Sequence, residues 1–135
     1  MRSLLFLCVA NSARSQMAEG IARSLAPDGL NVFSAGSEPS LINPLAVRAL
    51  AEIGVDASAQ RAKGLDAIPV GEIDTVVTLC AEEVCPVFPG GGRVTRHHWP
   101  LPDPAAATGD EQARLAAFRS VRDELRRHIA ELLRA

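Results

Sequence analysis

The stretch LLFLCVANSARSQMAEG, residues 4–20, decides the fold. It opens as an unbroken apolar run that ends on Cys8, the pattern of a strand buried on both faces of a parallel sheet. A short polar turn comes next. From Ala13 to about Leu25 the positions Met17, Ile21 and Leu25, with Ala18 and Ala22, share one helical face, and Pro27 with Gly29 ends the helix. Residues 2–8 are therefore predicted as a strand that passes through a tight turn into a helix, the first half of a βαβ unit.

The same alternation continues through the chain. Residues 31–35 read as a second strand closed by Gly36. The segment NPLAVRALAEIG, residues 43–54, then carries Asn43 as N-cap, Pro44 at the first helical position and Gly54 just past the end. A mixed polar stretch over 56–71 has room for a short helix at 64–68. After it comes IDTVVTLC, residues 73–80, a β-branched run that again ends on a cysteine. A fourth, weaker strand is predicted over 93–98, preceded by the turn-forming PGGG, and LPDPAAATGD, residues 101–110, reads as a loop. Thr108 with Glu111 suggests a capping box for a long C-terminal helix whose apolar face is Leu115, Phe118, Val121, Leu125, Ile129 and Leu132. The arginines at 122, 126, 127 and 134, with Asp123, Glu124 and Glu131, read as its solvated face. Strands alternating with helices imply right-handed crossovers, hence an α/β fold: one domain over 1–135, in three α/β/α layers around a four-stranded parallel sheet. The strand order stays open.

At 135 residues the chain is long enough to bury a core without disulfide staples. Its 14 basic and 16 acidic residues leave a net charge of −2, which gives no global field toward nucleic acid or an anionic membrane. The longest apolar run, residues 4–10, is too short to span a bilayer, and the N-terminus lacks a secretory pattern, so a cytoplasmic protein is expected. Three cysteines in such a chain point to reactive thiols more than to a structural framework.

The chemistry concentrates in residues 8–15: Cys8, Val9, Ala10, Asn11, Ser12, Ala13, Arg14 and Ser15. A turn between a strand and a helix N-terminus converges backbone N–H groups on one point and so binds anions. Arg14 adds a planar fork suited to two oxygens of a phosphate or arsenate. The same positive surroundings favour the thiolate of Cys8, and Ser15 is placed to donate a hydrogen bond to it. A lone cysteine at a strand end is more often a small buried hydrophobe. Here five residues and an Arg-Ser pair come after it, between strand and helix, and that context favours the anion site. Cys80 also ends a strand, and parallel sheets bind ligands beyond their carboxyl ends, so both thiols belong to one edge.

The segments CVANSARSQMAEG, FSAGS, DTVVTLC, CPVFPG and HHWPLPDPA occur in the order found in thioredoxin-coupled arsenate reductases. Over nearly its whole length the chain resembles that group, which shares its fold with low-molecular-weight protein tyrosine phosphatases. The resemblance implies that Cys8 attacks arsenate, with Asp103 as general acid. It further implies that Cys80 displaces arsenite and that Cys85 draws the disulfide to a site reducible by thioredoxin, or by glutaredoxin and glutathione. No cofactor is implied. In some relatives a potassium ion is bound, and Asn11, Glu19, Ser34, Arg61 and Lys63 correspond to its site. The Lys63 ammonium replaces the cation here, so no bound metal is expected.

The sequence also departs from that pattern. Only four residues separate Cys80 from Cys85, fewer than is usual. Residues five apart in an intact helix lie about 8–9 Å apart, beyond the ~7 Å at which a disulfide closes, so the segment is expected to be mobile. Ala13 stands where many relatives have a cysteine. His97 and His98 point to opposite faces of a strand and, with Cys85, fit no zinc pattern. Two rival functions keep the same loop. One is a phosphotyrosine phosphatase, disfavoured by the absence of tyrosine and by a single tryptophan for gripping a phenyl ring, and the other is a non-enzymatic oxyanion or redox sensor.

Overall fold

The structure, a computed structural model, describes residues 1–81, 86–89 and 93–134. The elements run β1 (Ser3–Cys8), α1 (Arg14–Leu25), β2 (Asn31–Gly36), α2 (Pro44–Ala51), β3 (Thr75–Cys80), β4 (Thr95–Leu101) and α3 (Glu111–Arg134). Three 3₁₀ turns intervene, at Leu65–Ala67, Val70–Glu72 and Pro104–Ala106.

The four strands form one parallel sheet in the order β2-β1-β3-β4. β1 is central, and all six of its residues are buried, which explains its unbroken apolar run. The chain leaves β1 toward one edge and later builds β3 and β4 on the other side, so the winding reverses between β1 and β3. A crevice opens at such a reversal, at the carboxyl ends of the strands. Cys8 and Cys80 are the last residues of the two strands that flank it.

One face of the sheet is covered by α1, α2 and α3, which pack on Leu4, Phe6, Val77 and Leu79. The other face buries Leu5, Leu7 and Val76 beneath Ile68, Ile73 and Phe88, which come from the 3₁₀ region and the β3–β4 connection. The β1–β2 crossover thus covers one face, while the β2–β3 connection sends α2 to that same face beside α1 and α3 and its 3₁₀ part to the other. α2 begins as expected: the Asn43 carboxamide oxygen accepts from Leu45 N at 2.9 Å, with Pro44 at the first position. Its last turn closes over Gly54, whose φ of +79° admits the left-handed exit.

Three expectations are corrected. β4 is not confined to 93–98 but runs to Leu101, through Pro100. Proline is tolerated there because β4 is an edge strand and carries an irregularity at that point. The cap of α3 is Asp110, whose carboxylate accepts from Ala113 N at 2.8 Å. Gly109, at φ +107°, breaks the path from Thr108, so the Thr108–Glu111 box does not form. Arg122 is not part of the solvated face; it is buried and donates to Ala49 O at 2.9 Å and to Glu52 Oε1 at 2.8 Å, pinning α3 to the end of α2.

Candidate active site

The residues 9–13 connect β1 to α1, and their shape is set by the groups that hold their carbonyls. Glu38 N donates to Val9 O and Ser40 N to Ala10 O, each at 2.9 Å, and Asn43 N donates to Ser12 O at 3.0 Å. Three carbonyls are thereby turned toward the segment after β2. In a trans peptide the N–H points opposite its carbonyl, so the N–H groups of Ala10, Asn11 and Ala13 face the other way, into the turn. Ala13 has no side chain with which to cap α1, which leaves the helix N-terminus available to an anion. The three amides thereby converge on the side of the turn away from these carbonyls.

Asn11 is its keystone. It is fully buried with φ +48°, a left-handed conformation that Asn tolerates better than most residues. Its Nδ2 donates to Ser15 Oγ at 2.7 Å and Ser34 Oγ at 3.0 Å, while Oδ1 accepts from Gln16 Nε2 and Lys63 N, each at 2.9 Å. The carboxamide is fully used. Ser15 Oγ, which accepts from Asn11, is also hydrogen-bonded to the Cys8 sulfur, 2.8 Å away. Cys8 is 2% exposed, so attack is confined to whatever enters the nest.

Gly36 makes this approach possible. A Cβ there would lie 2.4 Å from Val9 O and 2.8 Å from Asn11 N, so only glycine fits beside the turn. Arg14, the first residue of α1, is buried, and its Nη1 donates to Leu101 O at 3.1 Å across the end of β3. Asp103 lies two residues beyond that carbonyl. Its Oδ1 accepts from Ala105 N at 3.0 Å, which caps the short turn after Pro104 and holds the exposed carboxylate on a proline-flanked corner.

Behind the turn sits a second cluster. Lys63 Nζ lies 3.2 Å from Glu19 Oε1, 3.3 Å from Arg61 O and 3.4 Å from Ser34 Oγ, and Ser34 itself donates to Glu19 Oε1 at 2.6 Å. Glu19 is 2% exposed and also meets Arg23 at 3.4 Å. The oxygens that would serve a potassium ion are thus already engaged by an ammonium, and the donor set does not fit a further cation.

The structure therefore brings Cys8, Asn11 and Ser15 into contact, and joins Arg14 to the strand that leads to Asp103. Cys80, like Cys8, is buried at the same sheet edge. Cys85, and the expected mobility between the two cysteines, lie outside the described residues. Among the described residues no group of His, Cys, Asp or Glu could hold a metal, and no helix is long and apolar enough to cross a membrane. Sequence reasoning missed the scaffold roles of Gln16, Gly36 and Leu101. The signal for Gly36 was present in FSAGS, but the Leu101 carbonyl carries no side-chain signature.

Comparison with known proteins agrees with this geometry. The family model for low molecular weight phosphotyrosine protein phosphatase matches residues 3–135. Arsenate reductase of Halalkalibacterium halodurans is 44% identical over 128 residues, covering 93% of this chain and 91% of that protein. Arsenate reductase of Bacillus subtilis is 44% identical over 130 residues, covering 95% and 92%. A solved structure of an arsenate reductase in its phosphate-binding state superposes with a TM-score of 0.84 at 31% identity, covering 98% of this chain and 97% of that one. The chain belongs to the low molecular weight phosphotyrosine protein phosphatase family, alongside the arsenate reductases within it.

Proposed function

We propose that this enzyme reduces arsenate in the cytoplasm. The observation that carries the reading is the hydrogen-bonded Cys8–Ser15 pair, at 2.8 Å, set inside a nest of amides at the start of α1. The Cys8 thiolate attacks arsenic and one oxygen leaves as water, taking its proton from Asp103. Cys80 then attacks the Cys8 sulfur. The sulfur–arsenic bond breaks with its electron pair on arsenic, giving arsenite and a Cys8–Cys80 disulfide. Cys85 attacks Cys80 in turn, freeing Cys8 and passing the disulfide to thioredoxin or to a glutaredoxin and glutathione couple, whose thiols supply the two electrons.

A phosphatase would need only the first half of this scheme. The second thiol at the edge of the same crevice favours reduction, while the shared anion turn accounts for a slow side activity on small aryl phosphates. The test is steady-state arsenite production with a dithiol reductant, joined to mass mapping of disulfides after one turnover. Cys8→Ser is expected to abolish all chemistry, and Cys80→Ser to stall with arsenic on Cys8. Cys85→Ser is expected to turn over slowly or to divert to glutathione. Undiminished thioredoxin-linked turnover by Cys85→Ser would remove that residue from the relay. No arsenite at all from the wild type would reduce the site to a phosphatase or an oxyanion sensor.

A further inference from the structure

We infer that an extra residue in β4, at Trp99–Pro100, is a positioning device for the oxyanion-binding arginine. The register shows it directly. β3 and β4 pair as Thr75↔Thr95, Val76↔Arg96, Val77↔His97 and Thr78↔His98, but Cys80 then pairs with Leu101. Two steps along β3 are matched by three along β4, so one residue is inserted between His98 and Leu101. Such a bulge re-aims the residues beyond it. Pro100 occupies it without the loss of a ladder bond that it would impose on an inner strand.

The insertion affects Arg14. With the extra residue, the Leu101 carbonyl meets Arg14 Nη1 at 3.1 Å in a buried hydrogen bond, and the Leu101 side chain is 2% exposed in the core beneath the helices. Val76 and Cys80, on the same pleat parity of β3, belong to the opposite face, whose core Val76 joins. Register partners of a regular parallel pair share a face, so the bulge is the feature that turns Leu101 over. Without it Leu101 would be set back by one residue, about 3.3 Å, and its carbonyl would leave hydrogen-bond reach of Arg14. Asp103, two residues on, would be set back equally. Leu101 thus acts through Arg14, as a positioning residue that ties the anion turn to the acid-bearing corner.

This inference rests on the reading of residues 8–15 as an oxyanion site, and inorganic phosphate is the probe that separates the two. The experiment compares phosphate affinity and arsenate kinetics in the wild type, in a deletion of Pro100, and in Pro100→Ala, which keeps the residue count. The deletion is expected to weaken phosphate binding at least tenfold and to raise KM more than it lowers kcat, and Pro100→Ala to stay within about threefold of wild type. A folded deletion variant that binds phosphate normally would overturn the inference, as would Pro100→Ala losing as much as the deletion. A wild type that does not bind phosphate would instead overturn the oxyanion site itself. A second measurement does not depend on the deletion folding: in Arg14→Ala, the carbonyl resonances of residues 100–105 and the amides of Leu101, Asp103 and Ala105 are expected to shift, and those amides to exchange faster. Unmoved resonances there would also refute the inference.

Discussion

Asn11 shows how much one buried side chain carries. Its four hydrogen bonds connect the turn to Ser15, Ser34, Gln16 and Lys63, so Asn11→Ala leaves several buried groups without partners. At about 1 kcal/mol for each of the four bonds, a loss of roughly 4 kcal/mol in stability is expected from thermal unfolding. Ser15→Ala removes the hydroxyl bonded to the Cys8 sulfur and should slow alkylation of Cys8 by about tenfold, the factor that 1.4 kcal/mol represents. Gly36→Ala drives a methyl into Val9 O and Asn11 N, and is expected to lower phosphate affinity at least tenfold by displacing the turn. Lys63 belongs to the same scale. With its ammonium engaged at Glu19, activity should be the same in sodium and potassium buffers, and a titration with potassium chloride should release no binding heat. The cysteine, the arginine and the serine of the candidate site were legible in CVANSARS because their side chains sit at a recognisable strand–helix junction. The left-handed turn at Asn11 was not, since the reason for it lies in partners 23 and 52 residues away.

Among the elements, β3 ends on Cys80, the second thiol of the proposed redox step. By pleat parity Leu4 and Phe6 on β1 face the helices together with Cys8, whereas Val76 on β3 faces the opposite layer together with Cys80. A Cys8–Cys80 disulfide therefore requires the end of β3 to turn. Hydrogen exchange of the amides of residues 79–81 should accelerate in the oxidised protein, and unchanged protection would count against a Cys8–Cys80 bond. The elements differed in how well the sequence announced them. β1, α1 and α2 carried both periodicity and end signals. β4 did not, because its edge position removes the apolar alternation and its extra residue hides Pro100 inside a strand. The cap of α3 was misplaced for a similar reason: Gly109 admits a backbone turn that makes Asp110, not Thr108, the residue adjoining the helix.

At the scale of the whole molecule, α2 and α3 are joined through one carboxylate. The Arg119 guanidinium donates to Glu52 at 2.8 Å and Arg122 donates at 2.8 Å, and the hydrogen bond from Arg119 is the main reason that the Glu52 pKa falls from 4.5 to about 2. A carboxyl with a lowered folded pKa stabilises the native state above its ordinary value and loses that contribution as pH falls toward the folded one. The midpoint of thermal unfolding should therefore drop between pH 4.5 and about 2 more steeply in the wild type than in Glu52→Gln. Equal slopes would remove the network as an acid-sensitive link. This link joins residues 67 positions apart, and only the folded chain displays it.

The lone tryptophan also has a use that its packing makes available. Trp99 lies in the irregular part of β4, stacked on His128 with ring centroids 5.1 Å apart and tilted against Phe6 at 6.3 Å, in a chain without tyrosine. Its emission is therefore an intrinsic optical gauge at one spot, two residues from the carbonyl that grips Arg14. Phosphate binding is expected to change that emission in unlabelled protein, and an unchanged spectrum at high phosphate would separate the indole from the turn.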